Sequence, residues 1–133
     1  MRYLLDTNIC VDAMSDRYPR VAARIRRLSP HNVYISPIVV AELRYGADKS
    51  DRSRANHTKI NDFIQDLQCL DFNLDAAAEY GRIRVGLEVV GQTIGANDLL
   101  IAAQALSKQL ILVTDNLKEF QRVKGLQIEN WRG

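Results

Sequence analysis

The chain has 133 residues, a formal net charge of +2, 47% hydrophobic residues and 26% charged residues. That length suits one domain with one core, and the balance is that of an ordinary globule, which excludes disordered and collagen-like classes. No apolar run reaches the ~18 residues that cross a bilayer. The opening MRYLLDTN, acidic at position 6 and without an apolar h-region, is not expected to be a secretory leader. The expectation is a single domain over 1–133, working in the cytoplasm. No repeat or low-complexity tract divides it.

Tyr3-Leu4-Leu5 reads as a buried strand ending at Asp6. Asp6 to Asn8 lead into a helix with Ile9, Val11 and Met14 turned inward. Pro19 suits the first position of a second helix, where Val21, Ile25 and Leu28 repeat at one-face spacing. Val33-Tyr34-Ile35 is a second strand, and Ser36-Pro37 is a cap followed by a first-turn proline, starting a helix to the Gly46 region. A longer helix is expected over 53–67, with Ile60, Phe63, Ile64 and Leu67 on one side. Residues 69–72 read as a third strand, with Asn73 capping a helix towards Val90 that Gly91 ends. Asn97 reads as the cap of a further helix with Leu99, Leu100, Ala103 and Leu106 as its apolar stripe. Leu110-Ile111-Leu112-Val113 is the clearest strand, running into Thr114-Asp115-Asn116, and a helical turn and a strand near Leu126–Ile128 follow. Strands alternating with helices imply an α/β fold, a mostly parallel sheet flanked by helices on both faces. Cys10 and Cys69 lie in apolar surroundings without metal-type spacing and read as buried, reduced thiols.

Functional groups of open parallel sheets gather beyond the carboxyl ends of the strands. Asp6 closes the first strand and Asp115 follows the aliphatic fourth one, while Asp98 falls in the first turn of a helix. Glu42 sits inside the apolar stretch Ile38–Leu43, where a charge is costly to bury unless paired or bound to metal. Four converging acids would repel one another and raise each other's pKa values. A divalent cation removes that repulsion, and carboxylates suit Mg²⁺ or Mn²⁺. Each acid also has a plain structural role open to it: dipole complement for Asp98, cap for Asp6, turn chemistry for Asp115-Asn116. Spacing alone leaves the reaction open.

The string Leu5-Asp6-Thr7-Asn8 resembles the start of PIN-domain nucleases, and Ser36-Pro37-Ile38-Val39-Val40-Ala41-Glu42-Leu43 resembles the block that carries their glutamate. Gly95-Ala96-Asn97-Asp98-Leu99-Leu100 and Leu112-Val113-Thr114-Asp115-Asn116 are similar to the third and fourth blocks, and Glu129-Asn130-Trp131 to the ending of the VapC-type toxins. The resemblance implies a PIN-like fold and a Mg²⁺-dependent endoribonuclease, usually a homodimer, inhibited by a small VapB-type antitoxin that inserts a peptide near the active site. It carries Asp6, Glu42 and Asp98 over as catalytic, metal-site acids. Asp115 is taken as the fourth, with Asn116 as the alternative or a water-orienting neighbour, Thr114 as a loop-holding hydroxyl and Asn8 as a supporting residue. The look-alikes with this third block and tail imply tRNA as substrate, specifically initiator tRNA cut in its anticodon stem-loop.

Arg20, Arg24 and Arg27 share the side of the second helix opposite its aliphatic stripe, and Lys49, Arg52, Arg54 and Lys59 form another basic stretch. Either would contact RNA phosphates or be a solvated face. His31 and His57 are too far apart to suggest two-histidine ribonuclease chemistry and read as surface residues. Tyr45, Tyr80 and Trp131 read as packing residues. Two other classes stay open at this point: a non-catalytic metal- or partner-binding regulator, and a phosphohydrolase using Asp6 as nucleophile. The latter is weakened because position 8 is Asn, where such enzymes want a second Asp.

Overall fold

The computed structural model describes Met1–Gly133. Its elements in chain order are β1 (Tyr3–Leu5), α1 (Thr7–Met14), α2 (Pro19–Arg27), β2 (Val33–Ile35), α3 (Pro37–Lys49), α4 (Ser53–Ile64), β3 (Gln68–Cys69), α5 (Leu74–Val89), α6 (Ala96–Lys108), β4 (Ile111–Val113), α7 (Leu117–Phe120) and β5 (Ile128–Glu129). The five strands form one sheet in the order β3-β2-β1-β4-β5. Every pairing is parallel, with Leu4 beside Leu112 and Leu5 beside Val113 in the centre.

Parallel strands need long crossovers, and here each is helical. The chain winds outward from β1 through β2 to β3, then returns to the other side of β1 for β4 and β5. The winding therefore reverses between β1 and β4, where an open α/β sheet leaves a crevice at its carboxyl edge. Asp6 and Thr114 are the residues that leave the sheet on either side of that crevice. The three residues of β1 and of β4 are all buried, as strands covered on both faces must be. They belong to one apolar cluster of 28 residues, with Phe120, Leu4, Leu5, Ile9, Ile101 and Leu112 among its fully buried members.

Local chemistry explains most element boundaries. The Ser36 hydroxyl accepts from the Ile38 amide, with Pro37 in the first turn of α3. Asn73 Oδ1 accepts from the Ala76 amide at the start of α5. Gly91 ends α5 with φ at 67°, a left-handed backbone that a side chain disfavours. Asn97 does not cap α6: Gly95 holds the cap position, and Asn97 lies exposed within the first turn.

Several expectations about burial are corrected. Cys10 is buried, but Cys69 is exposed because β3 is an edge strand of two residues with one neighbour. The strand ends there, short of residue 72, and Phe72 is on the surface. Val11 is 47% exposed rather than inward, since Ile9, Cys10 and Asp12 are the residues α1 buries. α3 runs three residues past Gly46, and α4 ends at Ile64. Trp131 packs as expected, edge-on to Tyr3 with ring centroids 5.1 Å apart. Tyr45 is 65% exposed, with only Lys49 over its ring. No helix is long and apolar enough to cross a membrane.

Candidate active site

Asp6 caps α1 at the carboxyl end of β1 and is buried. Its Oδ1 accepts from the Thr7 amide at 2.8 Å, and its Oδ2 accepts from Thr114 Oγ1 at 2.8 Å. Burial pushes the Asp6 carboxyl up, and the charges of Glu42 and Asp115 add to this, although the bonds from Thr114 and Thr7 hold it back. Thr7 Oγ1 donates to Glu42 Oε1 at 3.1 Å, which brings the second turn of α3 to the start of α1. Glu42 is half-buried, its apolar helical neighbours Val39 and Leu43 turning into the core instead. That is how a charge survives inside an apolar stretch: the helical period rotates it to the rim.

Asp98 enters from the first turn of α6. Its carboxyl is pushed up to about 7, by burial first, then by the bond it shares with Glu119 and by the charges of Asp6, Glu119 and Glu42. Gly95 allows this close approach, since a Cβ there would lie 3.3 Å from Asp98 Oδ2. Asp98 thus senses the charges of Asp6 and Glu42, and Asp6 that of Glu42, across three different elements. No three acidic side chains are drawn tightly enough to enclose an ion in this conformation.

Glu119, on α7, is the acid the sequence reading missed. Its Oε1 accepts from the Gly95 amide and its Oε2 from Asn116 Nδ2, both at 2.9 Å. Burial alone would raise its pKa. The Gly95 amide, the Asp98 proton, Asn116 and the charge of Arg122 outweigh that and draw it below the usual range. Asp98 and Glu119 therefore form an acid pair in which the Asp98 carboxyl is pushed up and the Glu119 carboxyl is drawn down. The signal was present as Asn116-x-x-Glu119, the spacing of a helix cap and its third residue, and Asn116 does cap α7 by accepting from the Glu119 amide.

Asp115 has a different environment. Asn8 Nδ2 donates to its Oδ1 at 3.2 Å and Arg132 Nη1 to its Oδ2 at 3.2 Å. Thr114, fully buried, accepts from the Asn116 amide at 3.0 Å while donating to Asp6, so one hydroxyl holds both the loop and the acid. Of the arginines on α2, Arg20 donates to the Gly133 carbonyl. Arg24 pairs with Glu129 at 3.3 Å and lies over the Trp131 ring, while Arg27 is exposed and makes no ion pair. His31 is exposed, and His57 bridges Arg44 and Asp48, remote in role from the acids.

Comparison with known proteins gives the family. The PIN domain family matches residues 3–126. The chain is 42% identical over 132 residues to "Ribonuclease VapC2" of Rickettsia felis, covering 98% of both chains. It is 37% identical over 131 residues to "tRNA(fMet)-specific endonuclease VapC" of Salmonella typhimurium, again covering 98% of each. The crystal structure of VapBC2 from Rickettsia felis bound to a promoter DNA fragment superposes with a TM-score of 0.92 at 42% identity, over 98% of this chain and 99% of that one. With the family match spanning nearly the whole chain and relatives of this identity along its full length, the protein belongs to the PIN-domain family and, within it, to the VapC ribonucleases.

Proposed function

We propose that this chain is the toxin of a type II toxin–antitoxin pair, a Mg²⁺-dependent endoribonuclease of the cytoplasm that cleaves tRNA, with Mn²⁺ able to substitute. The observation that carries the reading is the gathering of acids at the sheet's carboxyl edge: Thr7 ties Asp6 to Glu42, Thr114 holds the other Asp6 oxygen, and the charges of Asp6, Glu42 and Glu119 add to burial in pushing the Asp98 carboxyl up. Carboxylates assembled against their own repulsion are what a hard cation relieves. The donor set fits such a cation, being carboxyl oxygen with hydroxyl and amide support and neither His nor Cys side chains. Asp6, Glu42, Asp98 and Asp115 are the residues that would hold it, with Glu119 beside Asp98.

A bound divalent cation would supply Lewis acidity toward water and neutralise charge on the scissile phosphate. The remaining work belongs to the chain. Asp6 is held at both oxygens, which suits a fixed ligand better than a nucleophile and weighs against phosphohydrolase chemistry. Asp98, its carboxyl pushed up by burial and by Glu119, would have to ionise as the site loads. Asn8 and Asn116, which donate to Asp115 and Glu119, would steady those acids, and Asn116 would orient water.

The likeness to a tRNA(fMet)-specific relative supports tRNA, and initiator tRNA cut in its anticodon stem-loop, as the substrate. The α2 face with Arg20, Arg24 and Arg27 is the proposed contact to its phosphates, Arg27 being the least engaged. The VapBC complexes among the structural relatives support a VapB-type antitoxin as partner. A groove of about 290 Å³ beside Glu42, lined by Val11, Met14, Leu43, Ala47 and Ile60, suits an apolar antitoxin segment. The exposed Val85 and Val89 on α5 suit a homodimer contact.

The test is cleavage of tRNA and of structured RNA by purified protein with Mg²⁺ or Mn²⁺. Loss of cleavage with EDTA and in folded Asp98→Asn is expected, while products indifferent to both overturn the reading. Expression alone is expected to arrest growth, and co-expression of the cognate antitoxin to relieve it.

A further inference from the structure

The C-terminal tail reaches the acid cluster through Arg132. Its Nε and Nη2 donate to Asp12 Oδ2 and Oδ1 at 2.6 and 3.2 Å, a two-pronged pair with a carboxylate that is 3% exposed. The remaining Nη1 donates to Asp115 Oδ2 at 3.2 Å, and the guanidinium lies 4.4 Å from the centre of the Tyr18 ring. Asn8 holds the other Asp115 oxygen. Asn8 and Asp12 are one turn apart on the same face of α1, so a single helix supplies both halves of the grip on Asp115.

We propose that Arg132 is a positioning residue of the active site: anchored by Asp12, it fixes the orientation of the Asp115 carboxylate. Tail attachment does not require this reach. Trp131 is already buried against Tyr3, its Nε1 donates to Glu129 Oε1 at 2.9 Å, and the Arg24 guanidinium lies over its ring, 4.8 Å from the centroid. A buried Asp12 without a partner would be costly, yet pairing it needs only two of the guanidinium's donors. The third is directed at Asp115. One cation serving two carboxylates leaves the group with a net negative charge, so Asp115 is steadied without being neutralised. Only a planar fork spans two acids in this way, and the compact ammonium of lysine does not.

This inference rests on the ribonuclease reading above, and the experiment separates the two. Cleavage rates are measured for the wild-type chain, Arg132→Met, Asp115→Asn and the double variant, with melting temperatures alongside. Met keeps the apolar stem against Tyr18. Arg132→Met is expected to lower kcat about ten- to hundredfold with KM little changed, the order that misplacing a catalytic group costs. In the Asp115→Asn background it is expected to add no further loss, because its route is already removed. Arg132→Lys, the variant to use if Arg132→Met fails to fold, is expected to show the same non-additive loss. A crystal structure of either variant is expected to show Asp115 turned from its present orientation. Losses that multiply with Asp115→Asn, or a wild-type rate in a variant that is merely less stable, overturn the role. An unmoved Asp115 side chain in the variant crystal also overturns it. A wild-type chain that cleaves no RNA defeats the ribonuclease reading instead, and the crystal structure then still decides whether Arg132 holds Asp115.

Discussion

Thr114 Oγ1 donates to Asp6 Oδ2 across 2.8 Å, joining two residues 108 positions apart at the ends of neighbouring strands. Because β1 and β4 pair in parallel register, the ends of both strands fall side by side and the bond closes the top of the sheet. The bond is buried and its acceptor is a carboxylate, the setting in which a hydrogen bond matters most.

Thr114→Val keeps the side-chain shape and removes the donor. It is expected to cost about 1.5–3 kcal/mol at neutral pH, the range for bonds to charged groups, and to reduce RNA cleavage. Urea unfolding at pH 7 checks this, and an unchanged midpoint would contradict it.

Asp98 sets a pH dependence of stability in the metal-free protein. Its ordinary value is 3.8 and the folded value is about 7, so between them the folded state keeps a proton the unfolded chain has lost. Stability is therefore expected to be full below about 4, to fall as pH rises, and to level off above about 7. Glu119, drawn below its ordinary 4.5, contributes stability above that value and loses it only as pH falls further. Thermal melts from pH 4 to 8 should show the decline, Mg²⁺ should restore the melting temperature at pH 8, and Asp98→Asn should flatten the profile.

Glu119→Gln removes a like charge from beside Asp98 and keeps an oxygen for the Gly95 amide. The pH at which stability declines should move down, because Asp98 then ionises more readily. The Mg²⁺ concentration for half-maximal cleavage should rise. Melts across pH and a magnesium titration read these separately, and an Asp98 response identical to wild type would discard the acid pair.

Arg27 and Arg24 should behave differently despite sharing a helix face. Arg27→Gln is expected to leave the melting temperature unchanged and to reduce the slope of log affinity against log salt by about 1 for each phosphate left without its cation. Arg24→Gln, which removes the pair with Glu129 and the cation over Trp131, is expected to lower the melting temperature. Binding of tRNA over a range of salt concentrations, beside thermal melts, separates the two.

Much of this arrangement was legible from local pattern. The aliphatic runs at Tyr3–Leu5 and Leu110–Val113 marked the central strands, and Ser36-Pro37, Asn73 and Gly91 marked helix ends by their own chemistry. Asp6 and Asp98 stood out because strand ends and helix first turns are positions a sequence reveals. The Val11 and Cys69 burials failed for a shared reason: which side of a helix or strand is covered depends on its neighbours, and one is a groove wall and the other an edge.

The alternation of strands and helices, and hence a parallel sheet whose carboxyl edge collects acids, follows from residue order alone, since hydrophobic period and capping act over a few residues. Which distant polar groups meet follows only from the folded chain: Glu119 with Asp98, and Arg132 with Asp12 and Asp115. Those pairings depend on the crossover geometry that brings α7 to α6 and the tail to α1, and no local pattern carries it. Charges exposed in isolation look alike in a sequence, and burial together is what gives them distinct roles.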